Sequence, residues 1–228
     1  MNAILLTRPY EDSLIIKDIL SKYSLKSYIS PMISISYKNN NYNLDNHVDI
    51  LIITSKHSIP WVVKNYKKIN PNKIICVGET LKKKISNELM NVDYCYKDSI
   101  ELIESISKFH NKNFLYTRGK HISNDINFYN NKSFEVITYE AEKVNNFSNG
   151  ILDLLNNNEI KYISVYSKRC LEILLDLFNK NNIDPDNFTY FCLSNEIGKV
   201  LSKDFYYAKD KKSKTLIEIM IKNIKLKN

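Results

Sequence analysis

The chain has 228 residues, 43% hydrophobic and 25% charged, with a formal net charge of +8. This is the balance of a globular protein, with length for one large domain or two of about 100–150 residues. No apolar run approaches the ~20 residues that span a bilayer, which excludes a membrane helix, and the positive balance favours an anionic partner.

The opening "MNAILLTRPYEDS" holds a short strand at 3–7 and an early Arg-Pro. It lacks the basic leader and long apolar stretch of a secretory signal, so a cytoplasmic location is expected. A helical pattern follows at 10–23, then an extended run at 26–37. From there strands are predicted at 48–54, 73–77, 92–96, 113–117, 135–141, 161–166, 189–193 and 205–208. Helices fall between them at 56–69, 79–88, 98–109, 120–129, 148–157, 168–181, 195–203 and 212–225. In the last of these Ile217, Met220, Ile221 and Ile224 share one face at helical spacing. Strands alternating with helices imply an α/β fold, its parallel sheets covered on both faces.

The chain repeats itself. "LLTRP" at 5–9 returns as "LYTRG" at 115–119, and "LIITSKHSI" at 51–59 as "ISVYSKRCL" at 163–171. "CVGETLKKKI" at 76–85 parallels "CLSNEIGKVL" at 192–201, and "YKDSIELIESI" at 96–106 parallels "AKDKKSKTLIEIM" at 208–220. Four matches in one order at a near-constant offset mean two copies of one α/β unit, hence two similar domains.

Every repeated motif sits where a strand turns into a helix, the functional edge of a parallel sheet. Helix N-termini there offer unpaired N–H groups suited to carboxylate or phosphate. Ser55 and Ser167 are placed as N-caps, and Lys56, Lys168, Arg8 and Arg118 could add cations at the same edge. The four glycines, at 78, 119, 150 and 198, cannot form a dinucleotide-binding or P-loop motif. The histidines at 47, 57, 110 and 121 form no metal or nucleophile signature, and only His57 lies at a strand-edge corner. Cys76, Cys95, Cys170 and Cys192 show no CxxC spacing and read as free thiols. Neither a metal nor a cofactor is expected. The residues describe a site of N–H groups, hydroxyls and cations that binds a polyanion and shapes it.

In order and spacing, "LLTRP", "LIITSKHSI", "CVGETL", "LYTRGK", "EVITYEA", "ISVYSKRCLEIL", "CLSNEIGKVL" and "YYAKDKKSKTLIEIM" resemble the uroporphyrinogen-III synthase family. The resemblance implies two parallel-sheet α/β domains joined by a two-stranded linker with a cleft between them. Carried over, one domain is 1–33 plus 143–228 and the other 34–142, with linker strands near 28–37 and 136–144. It implies a cofactor-free lyase that closes hydroxymethylbilane, a linear tetrapyrrole with eight carboxylates, to uroporphyrinogen III. Water is lost and ring D is inverted. The implied catalytic residue is Tyr139, in "VITYEA". The implied substrate-binding positions are Ser55, Ser167 and the corners at Gly78–Glu79–Thr80 and Ser194–Asn195, with Lys56, Lys168, Arg8 and Arg118 beside them. The chain departs from the family pattern at Glu196, Ile197 and Ala141, and its Thr80 comes one position early. A monomer is expected, with no nucleic-acid or membrane partner. The alternative is a two-domain anion-binding module without chemistry.

Overall fold

The computed structural model describes residues 2–39, 47–88, 91–122 and 124–226. Its elements run β1 (Ala3–Leu6), α1 (Tyr10–Ser21), β2 (Ser27–Ile29), β3 (Ile33–Tyr37) and β4 (Ile50–Ile53). A 3₁₀ turn (Lys56–Ser58) leads into α2 (Ile59–Ile69), followed by β5 (Lys73–Val77), α3 (Glu79–Glu88), β6 (Tyr94–Tyr96) and α4 (Ser99–Ile106). Then come β7 (Asn113–Gly119), β8 (Lys132–Lys143), α5 (Ile151–Asn156), β9 (Ile160–Val165) and α6 (Lys168–Lys180). A second 3₁₀ turn (Pro185–Asn187), β10 (Thr189–Cys192), α7 (Asn195–Gly198), β11 (Tyr206–Tyr207) and α8 (Ser213–Lys225) complete the chain. Among the described residues no helix is long and apolar enough to cross a membrane.

The chain divides into two compact units, Met1–Ser34 with Glu142–Asn228, and Ile35–Ala141. The first holds a five-stranded sheet in the order β11-β10-β9-β1-β2 with parallel pairing. Successive residues of β1 point to opposite faces. Ala3 and Leu5 join Ile163, Val165 and the inner faces of α5 and α6, while Ile4 and Leu6 join Tyr162, Phe191 and the inner faces of α1 and α8. All four residues of β1 are wholly buried, so the strand is apolar without alternation, as a doubly covered parallel strand requires.

The second unit carries the sheet β3-β8-β7-β4-β5-β6, parallel from β8 to β6. Leu51 and Ile53 pack with Trp61, Val62, Leu81 and Ile85 of α2 and α3, and Ile50 and Ile52 with Leu102 and Ile106 of α4 on the other face.

The repeat becomes a shared strand order. β2-β1-β9-β10-β11 in one sheet corresponds to β8-β7-β4-β5-β6 in the other, with the Thr-Arg strand second and the Ser-Lys strand third in each. The chain enters the two copies at different points, so one is a circular permutation of the other, and β3 is an addition. The equivalence extends to single bonds. Buried Thr7 donates through its hydroxyl to the Ser164 carbonyl of β9 at 2.6 Å, and buried Thr117 donates to the Ile52 carbonyl of β4 at 3.0 Å.

Four predicted elements differ. The run 26–37 is two strands, β2 in one sheet and β3 in the other, parted at Pro31, which has no N–H to give a ladder. The segment 120–129 is not helical among its described residues; Ser123 lies outside them. Asparagines in and just after it bond elsewhere instead: Asn127 Oδ1 accepts from Tyr129 N, Asn124 Nδ2 donates to Ser99 Oγ, and Asn131, two residues beyond, donates through Nδ2 to the Phe109 and Phe128 carbonyls. The helix expected at 195–203 stops at Gly198, because Ser202 and Lys203 bond to Asp186 of the second 3₁₀ turn. That at 56–69 opens with the 3₁₀ turn before α2.

Candidate functional site

Because β4 to β8 are parallel, their C-terminal ends share one edge, and the loops leaving that edge line a cavity of about 360 Å³ in the second unit. Of the residues predicted from sequence, Ser55 (leaving β4), Arg118 (ending β7) and Tyr139 (in β8) lie on its wall. Lys56, Gly78, Glu79 and Thr80 sit at the same sheet edge but do not line it. Arg8, Ser167, Lys168, Ser194 and Asn195 occupy the corresponding strand ends of the first unit.

Tyr139 owes its place to a β-bulge. Arg118 pairs with Ile137 but Gly119 pairs with Tyr139, which leaves Thr138 as an extra residue in β8. The buried Thr138 hydroxyl lies 2.9 Å from Ser58 Oγ and donates to the Arg118 carbonyl at 3.1 Å. The shift sets the Tyr139 ring against Gly119, where an added Cβ would fall 2.7 Å from the ring's Cζ. The Tyr139 hydroxyl has no hydrogen-bond partner among the described residues.

Ser55 caps the 3₁₀ turn, its Oγ accepting from His57 N at 3.2 Å, and Ser167 caps α6, accepting from Cys170 N at 3.1 Å. Ser194 has the backbone of an N-cap but makes no side-chain capping bond. Gly78, at φ +87°, donates its own N–H to the Tyr96 carbonyl at 2.8 Å. The groups at that corner open to an anion are therefore the first N–H groups of α3, at Glu79 and Thr80.

Both strand-end arginines are held locally. Arg8 pairs with Asp12 at 3.0 Å, and its guanidinium lies 4.7 Å from the Tyr166 ring centroid. Arg118 Nε meets Glu135 at 2.6 Å, and its Nη1 donates to the Gly119 and Lys120 carbonyls at 3.0 and 3.2 Å. The guanidinium thereby ties down the chain leaving β7 as well as facing the cavity. Glu196, the anion noted at the second corner, is matched by Lys199 at 2.7 Å, which lowers its pKa. On β8, Glu140 is bridged by Lys120 at 2.6 Å and Lys38 at 3.1 Å, and these bonds hold its carboxyl below the usual range.

The structure adds residues that the sequence reading did not assign. Lys97, Asp98 and Ser99 at the end of β6, and His121 and Asn124 in the β7–β8 connection, complete the cavity wall. Asp98 caps α4 by accepting from Ile100 and Glu101 N, both at 3.0 Å, and Glu101 accepts from Lys97 N at 2.6 Å. The Asp-x-x-Glu spacing at 98–101 was the available signal.

Tyr116 lies beside Thr54 at 3.3 Å, and burial raises its phenol pKa. The cysteines are free thiols; burial pushes Cys76 and Cys192 up to about 12. Among the described residues no three His, Cys, Asp or Glu side chains gather as a metal site. The sheet edge thus supplies a phenol, hydroxyls and cations on the cavity wall and, beside it, helix-start N–H groups and a further cation, a set that orients an anion and hydrogen-bonds a leaving oxygen.

A family model described as uroporphyrinogen-III synthase HemD matches residues 16–218. No curated protein matches the sequence significantly. Among solved structures, uroporphyrinogen-III synthetase from Helicobacter pylori is similar at 15% identity and a TM-score of 0.62, over 98% of this chain and 100% of that one. A mutant uroporphyrinogen III synthase from Thermus thermophilus is similar at 9% identity and a TM-score of 0.56, over 98% and 99%. At such identities the likeness is one of fold.

Proposed function

This chain belongs to the uroporphyrinogen-III synthase family, cyclising lyase-type enzymes of porphyrin and heme biosynthesis, and we propose that it closes hydroxymethylbilane to uroporphyrinogen III through the residues just described. The family match over residues 16–218 carries the reading. The partnerless Tyr139 hydroxyl on the cavity wall supports it chemically.

The terminal hydroxyl of the bilane leaves as water when a proton reaches its oxygen, giving an azafulvene cation. Ring D attacks the azafulvene carbon through its substituted position to form a spiro intermediate, which reopens, closes with that ring inverted and sheds a proton to give the neutral macrocycle. The free bilane also closes by itself, without inversion, to the type I isomer. Positioning and charge stabilisation therefore decide the product more than a strong base does. Tyr139 hydrogen-bonds the departing hydroxyl. Ser55, the N–H groups at Glu79 and Thr80, Ser167, Ser194 and Asn195 hold carboxylates, with Lys56 and Lys168 adding charge. Arg8 and Arg118 act chiefly by fixing their strand ends, since each already meets a carboxylate.

A cavity of about 360 Å³ is at the small end of ligand pockets, so the second unit takes one end of the bilane. The proposal extends to a monomeric, cytoplasmic enzyme without cofactor or nucleic-acid partner. Fresh hydroxymethylbilane is given to the purified protein, and the products are oxidised and separated by isomer. A large excess of type III is expected; type I alone at the buffer rate would refute the reading.

A further inference from the structure

His57 has no role in the reading above, yet it stands between two groups that do. Its backbone N–H is the donor that Ser55 caps, at 3.2 Å. Its ring lies tilted against Tyr139, centroids 5.3 Å apart at 49°. Its Nδ1 is 3.4 Å from the Tyr37 hydroxyl, and those two rings are also tilted, with centroids 6.3 Å apart.

Two consecutive residues of the β4 corner thus meet two consecutive residues of β8: Ser58 meets Thr138 by a hydrogen bond at 2.9 Å, and His57 meets Tyr139 by ring contact. Gly119 bounds the tyrosine ring where an added Cβ would collide with it, and the imidazole is a second neighbour. The hydroxyl has no polar partner to fix it, so ring packing must set its direction. We propose that His57 is a positioning residue for the cyclisation: it holds the Tyr139 ring so that the phenol reaches the departing hydroxyl, and couples that ring to the Ser55 corner. The inference rests on the proposed function.

The test is a two-residue cycle on the full chain, with hydroxymethylbilane as substrate and turnover and isomer ratio as readouts. His57→Ala is expected to lower kcat about tenfold, a modest misplacement of a group that assists the reaction. KM should stay within about twofold and the type III fraction should fall. His57→Phe, which restores a ring of similar breadth, should recover most of the loss. Tyr139→Phe keeps the ring and removes only the hydroxyl, so His57→Ala should cost nothing further in that background.

If the two losses multiply, or if His57→Ala raises KM alone or changes nothing, the positioning role is overturned. Where His57→Ala fails to fold, His57→Leu keeps the bulk without the ring and is judged by the same outcomes. Wild-type protein yielding only type I would overturn the proposed function, and this inference with it. Wild-type protein yielding type III while His57→Ala matches it would overturn the inference alone.

Discussion

Gly119→Ala tests the contact that seats Tyr139. Positive φ among the glycines occurs at Gly78 and Gly150, so alanine at 119 meets no backbone strain and only the neighbouring ring opposes it. The new Cβ would lie 2.7 Å from Cζ and 2.9 Å from the hydroxyl oxygen of Tyr139. Carbon contacts settle at roughly 3.5–4.0 Å, so the ring must retreat by about 1 Å. A half-buried ring on a cavity wall has somewhere to go, which puts the overpacking cost near the low end of ~1–3 kcal/mol. A displacement of that size should cost turnover roughly 10-fold to 100-fold. Urea unfolding gives the stability change, and isomer-resolved turnover on hydroxymethylbilane gives the activity. Repeating the substitution on Tyr139→Ala, where the methyl has no ring to strike, should reduce the stability loss to within about 0.5 kcal/mol of zero. An equal loss in both backgrounds, or full turnover by Gly119→Ala, would refute the reasoning.

Thr7→Val and Thr117→Val each remove a buried donor from a strand carbonyl and should destabilise by about 1–3 kcal/mol, read from urea midpoints. Matching costs at the two sites are expected from the repeated geometry. Gly78→Ala meets no atom within 4 Å but keeps φ +87°, so it should lose about 1–2 kcal/mol from backbone strain alone; Gly78→Asn, better tolerated in that region, should lose less. Glu140 has a folded-state pKa lowered by Lys120 and then Lys38. Its stabilising contribution is therefore full above the unfolded value of about 4.3 and is lost as pH falls through the folded-state value. Glu140→Gln should flatten that acid limb of the stability curve, and an unchanged limb would dismiss the Lys-Glu-Lys bridge as its source.

Much of this architecture could be read from local pattern. "AILL" and "ILII" are unbroken apolar runs because β1 and β4 are covered on both faces. The corner serines were visible because capping is a local matter, and Ser55 and Ser167 cap as their positions suggest. The failures have another origin. Residues 120–129 carry apolar spacing compatible with a helix, but Asn127 and the following Asn131 bond to backbone groups at 109, 128 and 129, and Asn124 bonds to Ser99 at the start of α4. The bulge at Thr138 leaves no mark on sequence because it arises from pairing with residues 118 and 119. The same is true of the arginines: Arg118 is tied to Glu135 on the adjoining strand, a partner that linear spacing does not reveal. Local pattern therefore located the sheet edge and its caps, whereas the cross-strand contacts of its side chains emerged only with the strand pairing.

The permuted entry of the chain into its two copies has a consequence for biosynthesis. β1 leaves the ribosome long before its sheet neighbour β9, and Thr7 waits for a carbonyl 157 residues further on. At ordinary elongation rates of about 5–20 residues per second that delay is roughly 10–30 s. Within it the whole of Ile35–Ala141 has emerged and can close its own sheet. The strand Ala3–Leu6, wholly buried at the end, spends the interval with only β2 to pair with and its β9 edge uncovered. A nascent-chain chaperone could cover this apolar stretch in that interval, and mutations in β9 should make Ala3–Leu6, rather than Ile35–Ala141, the target of degradation.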